Sequence, residues 1–255
     1  MRKPLIIKGK TIGQGKPLIC VPVMEPEADA VVAEVKALAE RKVDMIEWRL
    51  DAFAKAESLN AIREVLDRLE PYLKETILVY TFRSQKQGGL LELSPEQIYD
   101  IHQVGAESGA VDFVDVEFFE AKHAAAEIRK LQSLGAHVIT SHHDFGETPK
   151  GDVIAMLLEQ MAESTTDVVK LAVMPNSVED VLTLLGQTAD FHKKYPSCPL
   201  ITMSMGKLGA VSRVAGETFG SCVTFGAGKE ASAPGQIEMG VLDTILEALR
   251  QEDEA

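Results

Sequence analysis

The chain alternates between short apolar stretches typical of β-strands and longer amphipathic stretches typical of α-helices. The apolar stretches recur about every 20–35 residues and begin near Leu18, Met45, Ile77, Phe113, His137, Val168, Pro199 and Cys222. The intervals between them predict helices over residues 27–42, 58–69, 95–108, 121–134, 152–163, 178–194, 208–217 and 237–250. Because strands that alternate with helices form parallel βαβ units, the pattern predicts an α/β fold with a parallel sheet.

Eight repeats of strand and helix within 255 residues match the arithmetic of a (β/α)8 barrel, also called a TIM barrel. A doubly wound open sheet is the alternative, but no GxGxxG sequence follows the first strand, which weighs against its dinucleotide-binding form. Apolar alternation at the N-terminus, with turn residues in "GKTIGQG" (residues 9–15), predicts a β-hairpin that closes one end of the barrel. No proline-rich or serine-rich linker divides the chain, so residues 1–255 are predicted to form a single domain.

The charge and cysteine content restrict the partners and the compartment. The formal net charge is −13 at pH 7, which argues against binding to nucleic acid or to anionic membranes. The first ten residues lack the apolar core of a signal peptide, and no apolar run approaches the ~20 residues of a membrane span. Three cysteines that are far apart in sequence favour reduced thiols and a cytoplasmic protein over disulfides or a zinc site.

Ionisable side chains lie near the ends of five successive predicted strands. Those that share a strand face are Glu47 with Arg49, Thr81 with Arg83, Asp115 with Glu117, and Ser141 with His143, and Lys170 follows on the sixth strand. Each has a structural alternative: an ion pair at the barrel end, a histidine in an ordinary loop, or a lysine that extends to solvent. Their convergence at the strand ends, where barrel enzymes bind substrates, favours a catalytic site.

Lys170 suggests a specific chemistry, because it interrupts the apolar strand "DVVKLAVMP" (residues 167–175). Burial of an unpaired ammonium costs several kcal/mol. A lysine amine that is removed from water and placed beside other cations has a lowered pKa and can condense with a ketone to form an imine. A histidine with a pKa near neutrality can then move a proton, and His143 lies one strand away. We therefore interpret Lys170 as a Schiff-base lysine and His143 as its proton shuttle.

Seven segments, in order and at matching spacing, resemble the type I 3-dehydroquinate dehydratase family over essentially the whole chain. They are "IEWRLD" (46–51), "TFRS" (81–84), "SHHDF" (141–145), "VVKLAVMP" (168–175), "TMSMGKLGAVSRVAGETFGS" (202–221), "TFGA" (224–227) and "ASAPGQI" (231–237). The resemblance implies a (β/α)8 barrel that dehydrates 3-dehydroquinate to 3-dehydroshikimate in chorismate biosynthesis. It implies a covalent imine with Lys170, no metal and no cofactor.

The resemblance also assigns roles to individual residues. It implies that Lys170 forms the imine, that His143 transfers protons and that Arg213 binds the substrate carboxylate, for which a guanidinium fork is suited. The further residues implied to contact substrate are Glu47, Arg49 and Arg83, together with Ser232 and Gln236 on a loop after the eighth strand. The residues implied to form apolar walls are Met203, Met205 and Phe225. The loop of residues 228–236 is expected to close over the site as a lid.

One position departs from the family pattern. The family's third-strand motif commonly reads "FRSxxEGG", with a glutamate directed towards the catalytic histidine, whereas this chain has Gln87 in "FRSQKQGG". A neutral amide can accept a hydrogen bond from imidazole but stabilises the imidazolium less than a carboxylate, which predicts a lower pKa for His143. We therefore expect slower turnover than in a Gln87→Glu variant, with imine formation retained.

Two other functions remain open from the sequence. The first is a class I aldolase or another Schiff-base lyase on the same fold, although no glycine-rich phosphate loop precedes the last helix. The second is a catalytically weakened homologue that only binds shikimate-type ligands, which Gln87 makes conceivable. The resemblance further implies a homodimer that acts on a small molecule. The acidic C-terminal residues 250–255 are expected to fray.

Overall fold

The computed structural model describes residues 5–229 and 232–250. The strands are β1 (Leu5–Ile7), β2 (Lys10–Ile12), β3 (Leu18–Val23), β4 (Met45–Arg49), β5 (Ile77–Thr81), β6 (Phe113–Glu117), β7 (His137–Asp144), β8 (Val168–Val173), β9 (Leu200–Ser204), β10 (Val223–Ala227) and β11 (Ile237–Glu238). The α-helices are α1 (Ala28–Glu40), α2 (Leu59–Leu69), α3 (Pro95–Glu107), α4 (Ala124–Ser133), α5 (Gly151–Glu163), α6 (Val178–Lys194), α7 (Ala210–Val214), α8 (Gly216–Phe219) and α9 (Met239–Leu249).

Strands β1 and β2 form the N-terminal hairpin that the sequence predicts. They pair antiparallel, with Leu5 opposite Ile12 and Ile7 opposite Lys10. The two loop residues, Lys8 and Gly9, have φ values of 49° and 77°. Positive φ at both loop residues is the geometry that matches the twist of two-residue hairpins. The turn therefore lies at the start of the "GKTIGQG" segment, and residues 10–12 form the second strand.

The chain divides into two compact units. The first unit comprises Pro22–His142 and Ser164–Asp167, and the second comprises Met1–Val21, His143–Glu163 and Val168–Ala255. In the first unit β5 pairs in parallel with β4 and β6, and β6 pairs in parallel with β7. Strands β4, β5 and β6 are buried at every position, as expected for a parallel sheet covered on both faces.

The second unit also contains parallel strands with helices between them. Strand β8 pairs with β9, and β10 pairs with both β3 and β11. Helix α6 shows how the sequence sets a boundary, because Ser177 and Asp180 form a reciprocal capping box at its start. The fold is the predicted α/β class, a (β/α)8 barrel with an N-terminal β-hairpin. The assignment of residues 1–255 to one domain stays a prediction.

Two predicted helices differ from the structure. Residues 208–217 do not form one helix but contain α7 and the start of α8. The helix breaks at Ala215, and at the next residue, Gly216, a Cβ would lie 2.9 Å from Cγ of the distant Pro17, so tertiary packing overrides the helical pattern. Residues 237–238 form β11 and α9 follows, because Ile237 pairs with Gly226. The expected fraying of residues 251–255 lies outside the described residues, as do residues 230–231 of the expected lid.

Candidate active site

Lys170 lies in the interior of the second unit, on the all-buried strand β8. Its residue surface is 3% exposed, whereas a lysine that extends to solvent keeps its ammonium in water. The Nζ atom lies 4.5 Å from the centroid of the Phe225 ring on β10. A cation over an aromatic face is attracted by the ring quadrupole, and this attraction is greater where water is excluded. The amine is therefore buried, with the Phe225 ring on one side of it.

The register of β8 and β9 identifies the neighbours of Lys170. Lys170 pairs with Ile201 and Ala172 pairs with Met203, so Lys170 and Met203 occupy the same sheet face. The other face of β9 packs on α6, where the hydroxyls of Thr202 and Thr188 are 2.8 Å apart. Met203, Met205 and Phe225 are all buried. All three lie in the second unit, and their role as the apolar wall of the site stays a prediction.

Arg213 on α7 is a buried cation without a counter-charge in the described part of the chain. Its Nη2 donates to the Pro234 carbonyl at 3.0 Å and its Nη1 to the Phe225 carbonyl at 3.5 Å. Within residues 5–229 and 232–250, its Nε atom is buried without a hydrogen-bond partner. Burial lowers the pKa of Arg213 to about 10. A guanidinium held by neutral carbonyls retains its full charge for an anionic ligand.

Helix α7 can carry Arg213 to this position because glycine precedes it. A Cβ at Gly209 would lie 2.2 Å from the Ser204 carbonyl oxygen, so only glycine allows this close approach to the end of β9. The Ser212 hydroxyl also accepts the Ser204 N–H at 2.9 Å. Strand β9 therefore fixes the start of α7, and with it the residue that follows Ser212.

Ser232 and Gln236 bond reciprocally within one turn of the loop before β11. The Ser232 N–H donates to Gln236 Oε1 at 2.7 Å, and Gln236 Nε2 donates to Ser232 Oγ at 2.9 Å. The loop packs on Gly206, whose N–H donates to the Pro234 carbonyl at 3.1 Å. At Gly235, φ is 78° and a Cβ would lie 2.2 Å from the Gly206 oxygen. The Pro234 carbonyl thus accepts hydrogen bonds from both Gly206 and Arg213.

The two consecutive histidines occupy the C-terminal end of β7. Both are half-buried, and strand alternation directs their side chains to opposite faces, as the sequence predicts. The His142 ring packs against Phe119 in a T-shaped contact, with centroids 5.2 Å apart. His142 is therefore engaged in packing within the first unit. His143 belongs to the second unit, as do Lys170 and Arg213.

Arg83 in the first unit is surrounded by carboxylates. Its Nη2 lies 3.0 Å from Asp115 Oδ1, and its Nη1 lies 2.9 Å from Glu117 Oε1 and 3.0 Å from Ser141 Oγ. Burial lowers the pKa of Arg83, but the charges of Asp115, Glu117 and Glu47 outweigh burial and raise the pKa above its ordinary value. Of the strand-end residues that the sequence singles out, Arg83, Asp115, Glu117 and Ser141 therefore form one cluster, on β6, on β7 and just after β5.

Glu47 and Arg49, which share a face of β4, have different partners. Glu47 accepts a hydrogen bond from the Thr81 hydroxyl at 3.0 Å. Arg49 forms a bidentate ion pair with Asp51, with Nε–Oδ1 and Nη2–Oδ2 distances of 2.7 and 2.8 Å. Both partners of that pair are buried. Arg49 therefore forms a structural ion pair, which is the alternative to a role in a catalytic site that the sequence leaves open.

Asp51 is a structural residue that the sequence analysis did not identify. In addition to the Arg49 pair, it accepts the Arg83 N–H at 3.4 Å and the Leu90 N–H at 3.1 Å. It therefore holds both ends of the loop of residues 83–90. Its signals in the sequence were its place at the end of the "IEWRLD" segment and its spacing of two residues from Arg49, and neither distinguishes it from an exposed acid.

Gln87 lies within that loop and is buried. Its N–H donates to the Ser84 carbonyl at 3.0 Å. The next two residues must be glycine, since φ at Gly88 is 86° and a Cβ at Gly89 would lie 1.9 Å from the Arg83 oxygen. The "GG" pair thus determines the path of the loop. That Gln87 supports His143 in proton transfer stays a prediction.

We expect Asp51→Asn to lower the free energy of unfolding by about 3–5 kcal/mol, because it leaves the buried Arg49 guanidinium without its counter-charge. Urea unfolding measures this change. Asp29→Asn is the matched control, since Asp29 pairs with Arg68 on the surface and exposed pairs contribute less than about 1 kcal/mol. Equal losses in the two variants would contradict the structural role of Asp51.

Comparison with known proteins identifies the family. A family model described as type I 3-dehydroquinase matches residues 19–253. The chain belongs to the type I 3-dehydroquinase family. The 3-dehydroquinate dehydratase of Klebsiella pneumoniae subsp. pneumoniae is 41% identical over 253 residues, which cover 98% of this chain and 100% of that protein. That of Clostridioides difficile is 39% identical over 252 residues, covering 98% and 99%.

Solved structures of type I 3-dehydroquinases are similar over the same length. The type I 3-dehydroquinate dehydratase of Clostridium difficile with covalently modified comenic acid has a TM-score of 0.93 at 39% identity and covers 98% of each chain. The 3-dehydroquinate dehydratase of Geobacillus kaustophilus has a TM-score of 0.93 at 33% identity, covering 97% of this chain and 96% of that one. The predicted family and the predicted dehydratase class of lyase are confirmed.

Metal-binding clusters and membrane-spanning helices are both absent from the described residues. Over residues 5–229 and 232–250, no cluster of three or more histidine, cysteine, aspartate or glutamate side chains is arranged to hold a metal ion. In the same ranges, no helix has the length and apolar character needed to cross a membrane.

Proposed function

We propose that this type I 3-dehydroquinase converts 3-dehydroquinate to 3-dehydroshikimate through an imine between Lys170 and the substrate. The observation that carries the proposal is the burial of Lys170 on β8, with its amine 4.5 Å from the Phe225 ring centroid. A lysine amine that is removed from bulk water is suited to nucleophilic attack on a ketone. The related structure of the Clostridium difficile type I 3-dehydroquinate dehydratase with covalently modified comenic acid supports covalent chemistry for this chain.

The proposed reaction has four steps. The Lys170 amine attacks the C3 ketone, and His143 assists the loss of water from the carbinolamine to give the iminium. His143 then removes a proton from C2, and the electron pair of the C–H bond moves into the enamine. The enamine expels the C1 hydroxyl, which leaves as water with the proton that His143 returns. Hydrolysis of the resulting conjugated imine releases the product and restores the amine.

We assign the substrate carboxylate to Arg213. Its guanidinium has no ion pair within the described residues, and neutral carbonyls orient it. Ser232 and Gln236 are proposed as further ligand contacts, on the loop whose Pro234 carbonyl accepts from Arg213. The residues proposed to bind substrate hydroxyls are Glu47, Arg49 and Arg83. The apolar walls are assigned to Met203, Met205 and Phe225.

Reductive trapping tests the imine directly. The protein is incubated with 3-dehydroquinate and borohydride, and its intact mass is measured before peptide mapping of any adduct. We expect one reduced adduct, on Lys170. Lys86, which lies on the surface and pairs with Glu120, is the internal control for non-specific lysine modification. Absence of an adduct from the folded protein would overturn the imine mechanism, and ready turnover of a phosphosugar would favour an aldolase instead.

We expect Gln87→Glu to increase kcat by about tenfold, because a carboxylate stabilises the His143 imidazolium better than an amide does. The yield of the borohydride adduct is expected to change little, since imine formation depends on Lys170. Steady-state rates across the pH range measure the effect, with Gln85→Glu as a control for added charge in the same loop. Identical pH–rate profiles for the wild type and Gln87→Glu would show that position 87 does not support the histidine.

We also propose that the protein acts in the cytoplasm as a homodimer and needs neither metal nor cofactor, since the imine supplies the electron sink. Its cysteines, Cys20, Cys198 and Cys222, are free thiols, as is usual in a reducing compartment. Tight binding of 3-dehydroquinate without turnover would favour the ligand-binding alternative over the enzyme.

A further inference from the structure

Asp144, the last residue of β7, organises the turn that follows His143. Its Oδ1 atom accepts the N–H of Gly146 at 2.8 Å and the N–H of Glu147 at 3.0 Å. A side chain that accepts main-chain N–H groups two and three residues further on holds the chain in a compact turn. Within residues 5–229 and 232–250 these are the only bonds of its carboxylate, and both donors are uncharged. Asp144 therefore acts here through an acceptor oxygen.

This turn is joined to the end of β8. Met174, which directly follows β8, donates its N–H to the Glu147 carbonyl at 3.3 Å, and its own carbonyl accepts the Thr148 hydroxyl at 3.0 Å. Asn176 Nδ2 donates to the Gly146 carbonyl at 3.3 Å. Three hydrogen bonds therefore connect the turn to the segment that follows β8, and all of these residues belong to the second unit.

His143 lies immediately before this turn. Residues 145–150 form neither helix nor strand, so the bonds of Asp144 restrain the main chain on the C-terminal side of the histidine. A reacting group must be held within about 0.5 Å of its productive position, and a displacement of about 1 Å can lower the rate about a hundredfold. Because Met174 lies four residues after Lys170, the turn links the main chain at the histidine to the strand of the lysine.

We propose that Asp144 is a positioning residue for His143, because it holds the turn that fixes the imidazole relative to the Lys170 imine. The inference rests on the proposed function, in which His143 transfers the protons, and adds the group that orients it. The role does not require the charge of the carboxylate, since the two donors are main-chain N–H groups. An amide oxygen at the same position accepts the same bonds.

Steady-state kinetics of a graded series at position 144 test this role. Asp144→Ala removes the acceptor and should lower kcat by at least about tenfold, with KM changed by less than about threefold because the substrate carboxylate is assigned to Arg213. Asp144→Asn keeps the acceptor and should retain at least about half of the wild-type kcat. Asp144→Ser, whose hydroxyl accepts such bonds more weakly, should lie between them. Circular dichroism of each variant shows whether the fold is intact.

Thr148→Val tests the other end of the connection and does not depend on the folding of Asp144→Ala. It removes the bond to the Met174 carbonyl and should lower kcat by about threefold. Because both side chains act through one turn, the double variant Asp144→Ala/Thr148→Val should lose less than the product of the two single losses. A loss equal to that product would show that the two residues act independently and would overturn the connection.

Asp152→Ala is the matched control. Asp152 also accepts a main-chain N–H, that of Val153 at 3.0 Å, but it lies at the exposed start of α5. This variant should keep kcat within about twofold of the wild type. Wild-type kcat in Asp144→Ala would overturn the proposal. So would an Asp144→Asn variant as impaired as Asp144→Ala, because the carboxylate charge would then be the required feature.

Borohydride trapping with 3-dehydroquinate, measured in parallel, separates this proposal from the proposed reaction. A wild type that forms no adduct on Lys170 would contradict the imine mechanism itself. A wild type that forms the adduct, together with normal turnover in Asp144→Ala, would contradict only the positioning role of Asp144.

Discussion

Lys170→Met is expected to lower kcat by at least about a thousandfold, because it removes the nucleophile while keeping a side chain of similar length in the same apolar site. Borohydride treatment with 3-dehydroquinate should then give no adduct. Loss of the electron sink leaves only the slow direct removal of the C2 proton from the ketone. Single-turnover measurements with a stoichiometric excess of enzyme show whether any residual rate belongs to the variant.

Two controls separate this effect from a loss of structure. Circular dichroism and urea unfolding of Lys170→Met should show an intact fold, since methionine fits the contact that Lys170 makes with Phe225. Lys86→Met removes an exposed lysine and should leave kcat unchanged. If Lys170→Met retains more than about a tenth of the wild-type rate, the amine does not carry the reaction.

Arg213→Met is expected to raise KM by about a hundredfold, with a smaller change in kcat. Loss of one partner from a buried charge pair costs about 2–5 kcal/mol of binding, and about 1.4 kcal/mol corresponds to a tenfold change. Arg213→Lys keeps the charge but loses the planar fork, so its KM should lie between those of the wild type and Arg213→Met. An unchanged KM in Arg213→Met would remove the carboxylate from this position.

Although Arg213→Met should weaken substrate binding, it should not lower the stability of the ligand-free protein. The pKa of Arg213 is about 10 in the fold and lies at its higher, ordinary value in the unfolded chain, so both states are charged at pH 7. The penalty for burying the charge is then fully present, and it is relieved only as the pH rises through about 10. Ligand-free Arg213→Met should therefore be at least as stable to urea as the wild type. Only the wild type should gain stability from 3-dehydroshikimate.

The sequence predicts the strands of this fold well because their signal is local. Each strand from β3 to β10 begins within one residue of its predicted start, since continuous apolar runs bounded by polar residues indicate buried parallel strands. The start of α6 follows from Ser177 and the start of α3 from "SPEQ", because caps are encoded within four residues. The prediction of one helix over residues 208–217 is wrong for the opposite reason, because a contact with a distant residue decides where the helix breaks.

The residues of the candidate site show the same difference between local signals and contacts with distant residues. Motifs single out Lys170, His143 and Arg213 as candidates, because the residue types and their order are visible in the chain. Their partners could not be predicted. Nothing local indicates that Asp51 holds both ends of the Arg83 loop, or that Arg213 is bonded to carbonyls whereas Arg83 is enclosed by carboxylates. These differences depend on which distant residues the fold brings together.

Arg83 and Arg213 consequently differ in how far their hydrogen bonds tolerate substitutions at neighbouring residues. The partners of Arg83 are side chains, so a single substitution at Asp115, Glu117 or Ser141 removes a bond. The acceptors of Arg213 are main-chain carbonyls, which every amino acid carries. Substitution at Phe225 or Pro234 can alter the shape of the surroundings but cannot delete those acceptors. Random mutagenesis should therefore find more neutral changes at Pro234 than at Asp115, Glu117 or Ser141. The glycines that allow close backbone approach, Gly209 and Gly235, are the exceptions near Arg213.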